Sequence, residues 1–301
     1  MNVIEFAKAY PFSSDDQVFL RLALTANLFW STDSAGPLGG IGPLLERFWP
    51  LIQPKASAYQ TTWMKNAKKI DKKGVALIED IMAGGIEPGF GTLIVDDRDG
   101  VAAAAANGIV ITSAPHRGVG YLTIKLAPDF PADRFATELI AGTRSMQFLN
   151  GFGGFGLVYN DLDELASTAE AEFFPLGMRH PGLDLQSPSI TSFSALSGIK
   201  CVNWLTFVGD GLSAKKLPNL KEGALGELMI RRQIHGWIIQ AGQKPCIGDV
   251  NRRDACSAYI EAGRLLASIR ANDHPDFILD EDLFMGSPER TNQWLSRFDI
   301  G

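Results

Sequence analysis

Residues Gly151 to Gly156 read Gly-Phe-Gly-Gly-Phe-Gly, which matches G-x-G-x-x-G. At that spacing glycines let a dinucleotide pyrophosphate meet a helix N-terminus. The chemistry needs a strand before the glycines and a helix after them. Here the helical pattern comes first and the extended one second, so the run is expected to be a helix stop or a loop allowing close backbone packing. Asp249-Val-Asn251-Arg-Arg-Asp254 offers three oxygen ligands for a metal. A calcium loop of the EF-hand kind would need a glycine at its sixth position and a distant glutamate, and both are missing. Helix capping accounts for the same residues, with Asn251 as cap and Asp254 in the first turn.

The four histidines, His116, His180, His235 and His274, are scattered, and no two have the three- or four-residue spacing that puts ligands on one helix face. Cys201, Cys246 and Cys256 are too few for a disulfide framework and form no C-x-x-C pair, so reduced core thiols are expected. Neither a G-x-S-x-G elbow nor a Walker A loop is present. Carboxylates without known placement are no evidence of glycosidase chemistry. The expectation is therefore no catalytic centre, no cofactor and no metal.

Two acidic stretches suggest binding instead. Asp161, Asp163, Glu164, Glu170 and Glu172 fall within twelve residues that contain no Lys or Arg. Asp273, Asp276, Asp280, Glu281 and Asp282 fall within ten, with Phe277, Ile278, Leu279, Leu283 and Phe284 among and beside them. Each stretch reads either as solvated surface or as an anionic face for a cationic partner, where charge speeds encounter and apolar anchors hold. The candidate partner-binding residues are Asp161, Asp163, Glu164, Asp276, Phe277, Asp280, Asp282 and Phe284. With 34 acidic against 28 basic residues the net charge is −6, which disfavours direct nucleic-acid binding.

The elements that position these residues follow from the apolar pattern. Val18, Leu20, Leu22, Leu24, Ala26, Leu28 and Trp30 alternate through Gln17 to Trp30, as in a strand. Leu44 to Gln53 reads as a helix stopped by Pro54, and the five lysines of Lys65 to Lys73 as a solvated helix face. Strands are expected at Gly91–Val95, Gly108–Thr112, Tyr121–Leu126, Leu157–Tyr159, Cys201–Val208 and His235–Gln240. Helices are expected from Pro131 to about Leu149, over Asp161–Phe174 and Leu225–Arg232, from Asn251 to about Ala271, and from Ser287-Pro288-Glu289 to about Phe298. Strands arrive in neighbouring runs and not in steady βα alternation. That predicts an α+β fold, a mostly antiparallel sheet packed with several helices, in one domain spanning 1–301. No run of 18 uncharged apolar residues occurs, and the opening Met1-Asn-Val-Ile-Glu-Phe lacks a signal-peptide pattern, so a cytoplasmic protein is expected.

Ile199-Lys-Cys-Val-Asn-Trp-Leu-Thr-Phe-Val-Gly209 and Ile239-Gln-Ala-Gly-Gln-Lys-Pro-Cys-Ile-Gly-Asp-Val-Asn-Arg252 together resemble the bacterial type VI immunity family. Phe155-Gly-Leu-Val-Tyr-Asn160, His180-Pro-Gly-Leu-Asp184 and Trp294-Leu-Ser-Arg-Phe-Asp299 extend the likeness in the same order. It covers roughly Leu126 to the C-terminus, and residues before about Gly100 match weakly. Cys201 stands where the family is expected to carry glycine. The resemblance implies an antidote that binds a cognate toxin delivered by type VI secretion, several such toxins being nucleases of the restriction-endonuclease type. Occlusion of the toxin's active site in the cytosol is the implied mode of action. Trp204, Trp237 and Trp294 would be structural and partly buried, leaving toxin contacts to other surface. An unrecognised hydrolase and a small-ligand-binding regulatory module remain as alternatives.

Overall fold

The computed structural model describes residues 3–9, 11–14, 17–35, 38, 40–84, 91–98, 103–114, 118–160, 166–217, 219–279 and 286–299. In chain order the strands are β1 (Phe12–Ser14), β2 (Gln17–Ser31), β3 (Ala58–Thr61), β4 (Lys68–Lys69), β5 (Thr92–Asp96), β6 (Gly108–Ala114) and β7 (Val119–Leu126). They continue as β8 (Asn150–Tyr159), β9 (Asp184–Leu185), β10 (Leu205–Gly209), β11 (Gly223–Leu225), β12 (Leu228–Gln233) and β13 (Gly236–Ala241). All join one 13-stranded sheet, ordered β11-β12-β13-β10-β8-β2-β7-β6-β5-β3-β4, with β1 on β2 and β9 on β8. Every pairing is antiparallel except the short parallel contact of β9 with β8. The α+β architecture predicted from clustered strands is the one observed.

The long strand β2 is the spine. It pairs with β8 from Leu20↔Tyr159 to Phe29↔Asn150, and with β7 from Leu24↔Leu126 to Ser31↔Val119. Its even-numbered side chains, Leu20 through Trp30, form one buried face, as the alternation required. Helices Gly42–Ile52 and Ala132–Gly142 cover that face, with Phe48 and Phe135 in edge contact at 5.8 Å. The side chain of Leu139 reaches the sheet at Gly153, opposite Ala26. Burial of this many large apolar groups, each contributing roughly 1.5–3 kcal/mol, holds the layers together.

Several expected elements differ. Gly151–Gly156 lies inside β8 and not at a helix stop, because the helix begun at Pro131 ends earlier, at Gly142. Leu225–Arg232 forms no helix. Leu228 to Gln233 pair residue by residue with β13, and Leu228, Met229 and Ile230 alternate in burial, so ladder pairing overrides the helix propensity of Leu, Met and Arg. The lysine run is exposed but contributes a two-residue strand, and the helix there begins only at Lys72, capped by Asp71. Strand β10 starts at Leu205 and not at Cys201. Asn251 caps nothing: Asp249 accepts from the Asn251 N–H to cap a short 3-10 turn, and the following helix runs Ser257–Leu266. The C-terminal helix Pro288–Leu295 has the expected Ser287 cap and first-turn proline. Among the described residues no helix is long and apolar enough to cross a membrane.

Candidate functional site

The odd-numbered side chains of β2 point to the opposite face of the sheet, a mixed row of Phe19, Arg21, Ala23, Thr25, Asn27 and Phe29 whose polar members would be expected to face water. Thr25 and Asn27 are nevertheless fully buried. The chain from Asp184 to Lys200 lies over them, and a hydrogen-bonded layer takes the place of solvent. The Thr123 hydroxyl donates to Asn27 Oδ1 at 2.7 Å, and Asn27 Nδ2 donates to Gln186 Oε1 at 2.8 Å. Gln186 Nε2 donates to Thr25 Oγ1 at 3.1 Å and also to Asp184. Lys200 Nζ ends the series, donating to Asp184 Oδ1 at 3.1 Å and to the Leu185 carbonyl at 2.6 Å. Both members of that ion pair are 0% exposed.

The glycines of β8 allow this covering. A Cβ at Gly156 would lie 2.7 Å from Gln186 Nε2, and one at Gly154 would lie 2.2 Å from Asn203 Oδ1. The motif that resembles a dinucleotide fingerprint is thus a flat floor for overlying side chains.

Beside the layer, on the same face, is a cavity of about 540 Å3. Thr92, Ile94 and Asp96 of β5 and Tyr121, Thr123 and Lys125 of β7 line it, and among the described residues no histidine or cysteine does. Asp96 is occupied by Arg98, which forks onto both carboxylate oxygens at 2.8 and 2.7 Å. Lys125 is only 9% exposed, and among the described residues its ammonium has no hydrogen-bond or ion-pair partner. The cavity therefore offers one uncompensated cation among neutral donors and an apolar wall, an arrangement that can hold an anionic group.

The acidic candidates are placed unevenly. Asp276 is exposed. Phe277 is 3% exposed and packs edge-on against Trp294 at 5.5 Å and His274 at 5.2 Å, with Lys200 Nζ 4.7 Å above its ring. Its ring therefore belongs to the core. Asp161, Asp163, Glu164, Asp280, Asp282 and Phe284 lie outside the described residues, as does His116. Burial, reinforced by the Lys200 charge, lowers His274 to about 4, so it is neutral at physiological pH. Trp204 and Trp294 are fully buried, beyond the partial burial expected, and Trp237 is half-buried under Arg232.

Sequence spacing missed one cluster. Cys246, Asp254 and Cys256 bring three ligand atoms within 4.8 Å of one another, the one such group among the described residues. It has no C-x-x-C signature, because a turn brings together cysteines ten residues apart. Cys201 is a buried core thiol whose ionisation burial pushes up, as expected of a core cysteine.

A family model described as TsiV, type VI immunity for VRR-NUC, matches residues 114–298, beginning ahead of Leu126. The solved structure of the Pseudomonas aeruginosa T6SS protein PA0821 superposes with a TM-score of 0.82 at 17% identity. That match covers 96% of this chain and 85% of the other. It shows a shared fold. No curated protein matches the sequence.

Proposed function

The chain belongs to the family of type VI immunity proteins for VRR-NUC, a nuclease effector, and from that premise we propose that it neutralises its toxin by stoichiometric capture that covers the active site. A protein of this family is an inhibitor and not an enzyme, and its partner is the cognate VRR-NUC effector. The observation that carries the reading is the family match across β7 to the C-terminal helix. The two proteins meet in the cytosol, where a nuclease finds its substrate. Capture of this kind needs an interface typically above about 1,200 Å2 with a desolvated centre and a polar rim.

The contact surface includes the acidic stretches, through Asp161, Asp163 and Glu164 or through Asp276, Asp280 and Asp282. Phe284 is the apolar anchor of this surface, because the Phe277 ring is buried in the core. A nuclease carries a cationic groove for phosphate, so carboxylates that cover it gain electrostatic attraction. The net charge of −6 and the exposure of Asp276 support this. The long-range part acts on association rate and weakens with salt, since the Debye length is about 8 Å at physiological ionic strength.

Coexpression with the cognate toxin should copurify a one-to-one complex in which nuclease activity is lost. Asn or Gln replacement of each acidic triplet should slow stopped-flow association, more at low salt than at high. Unchanged association for both triplets, with no salt dependence in the wild type, would remove the acidic surface from the interface. Protection that appeared only after fusing a signal peptide to the protein would overturn the cytosolic site. A second role, binding of a small anionic ligand, has the cavity and Lys125 behind it. It predicts thermal stabilisation by a carboxylate compound that Lys125→Met abolishes.

A further inference from the structure

The chain between Cys246 and Cys256 folds back on itself. The Asp249 N–H donates to the Asp254 carbonyl at 2.9 Å, and the Asp254 N–H donates to the Asp249 carbonyl at 3.1 Å. This reciprocal bridge closes residues 250–253 into a turn and sets the flanking cysteines side by side. Their sulfurs are 2.8 Å apart. A disulfide needs about 2.05 Å. Two thiolates on tetrahedral zinc, each about 2.3 Å from the metal, stand about 3.8 Å apart. Bonding therefore requires a small approach, and metal binding requires the sulfurs to separate by a larger step.

Packing opposes that separation. A Cβ at Gly182 or at Gly248 would each lie 3.0 Å from Cys256 Sγ, so these two backbones wall the sulfur in. Cys256 is buried, whereas Cys246 is half-buried. Asp254 lies at the Cys246 side, its carboxylate oxygens 3.8 and 4.0 Å from that sulfur.

We propose that Cys246 and Cys256 form a reversible oxidation site that closes to an intramolecular disulfide when a peroxide reaches Cys246. The Cys246 thiolate attacks one peroxide oxygen, the O–O bond breaks, and with one proton taken up the products are a Cys246 sulfenic acid and water. The Cys256 sulfur then attacks the sulfenic sulfur, its proton leaves with the hydroxyl as a second water, and the S–S bond forms. Two thiols are oxidised and one peroxide is reduced. The S–H of Cys256 donates to Cys246 and holds that thiol below its ordinary range, while the same bond, with burial, pushes Cys256 up. The half-buried partner is thus the attacking sulfur and the buried one resolves.

The bond would clasp a stressed segment. Arg253 at φ 59° and Cys256 at φ 56° are the two non-glycine residues in the left-handed region among the described residues, and both lie within the ring. The ring also holds Asp249, which pairs with Arg179 at 3.5 Å and so links the turn to helix Phe173–Arg179.

The test is a thiol count on the purified full chain before and after hydrogen peroxide. Oxidation should lower the free thiols, titrated after denaturation, from three to one, Cys201 being the survivor. Intact mass should fall by about 2 Da, a peptide should join residues 246 and 256, and dithiothreitol should reverse both. In Cys256→Ser the reaction should stop at a Cys246 sulfenic acid that dimedone traps, and Cys246→Ser should form neither product. Three titratable thiols after peroxide, or a crosslink that includes Cys201, would overturn the proposal. So would one equivalent of zinc in the protein as purified that prevents oxidation until a chelator removes it.

Discussion

Replacing Lys200 by Met tests whether the buried polar layer is a unit. Lys200 and Asp184 are both 0% exposed, and Lys200 is enclosed by Phe277 at 4.7 Å, Trp294 at 5.1 Å and Phe152 at 5.3 Å. Methionine fills similar space and keeps the apolar contacts, so the loss is chiefly electrostatic. Asp184 would keep its bond from Gln186 but lose its only cation partner among the described ion pairs. Leaving one member of a buried pair without the other costs about 3–5 kcal/mol. The surviving Gln186 bond places the expected loss near the lower end, about 3 kcal/mol. For a chain of 301 residues, with an unfolding entropy of roughly 2.1 cal/mol/K per residue, that corresponds to a fall in Tm of roughly 5 °C.

Adding Asp184→Asn to Lys200→Met removes the stranded charge and should restore much of the stability, because neutral replacement of a whole buried pair is often tolerated. Urea unfolding at constant m gives the difference in each background. A loss below about 1 kcal/mol in Lys200→Met, or no recovery in the double variant, would refute the argument that this pair is dry and interdependent.

His274 gives a pH signature. Its folded value of about 4 lies below the 6.5 of the unfolded chain, so between those values the unfolded state holds the extra proton and stability falls as pH drops. Roughly 3 kcal/mol present above pH 6.5 should be lost by pH 4, and His274→Gln should flatten that part of the curve. Asp71 accepts from the Gly74 N–H at 2.7 Å and caps a helix N-terminus, so Asp71→Ala should cost about 1 kcal/mol in urea unfolding, with Asp71→Ser recovering most of it. Lys125→Met should shift stability by less than about 1 kcal/mol, because the ammonium lines an open cavity where water can reach it, and a large drop in Tm would show that it has a protein partner there.

What was legible in the chain divides by the kind of signal. The even-numbered face of β2 could be read because Leu20, Leu22, Leu24, Leu28 and Trp30 have one fate, burial under helices. The Ser287-Pro288 start was legible because capping is local chemistry. The odd-numbered face was not, because a Thr or Asn facing water and one inside a hydrogen-bonded layer look the same in sequence. Only the arrival of Gln186 and Asp184, some 160 residues later, distinguishes them. The cysteine pair failed for a related reason: its proximity is created by the Asp249–Asp254 bridge, which no cysteine spacing encodes.

Phe277 carries the same lesson into function. Its place among carboxylates made it an anchor candidate, yet Lys200 and Trp294 bind its ring into the core. Of the second acidic stretch, the described portion therefore alternates between a buried ring at Phe277 and an exposed carboxylate at Asp276. That geometry separates two tasks along one segment: the ring fixes the backbone and the carboxylate is presented to solvent. Substituting Phe277 would disturb toxin binding only through lost stability, whereas substituting Asp276 would leave Tm unchanged and act on association rate. Phe277→Leu and Asp276→Asn, each measured for Tm and for association with the toxin at low salt, should therefore fall on different axes. A Phe277→Leu variant that keeps its Tm but dissociates faster from the toxin would instead show that the ring leaves the core to make the contact.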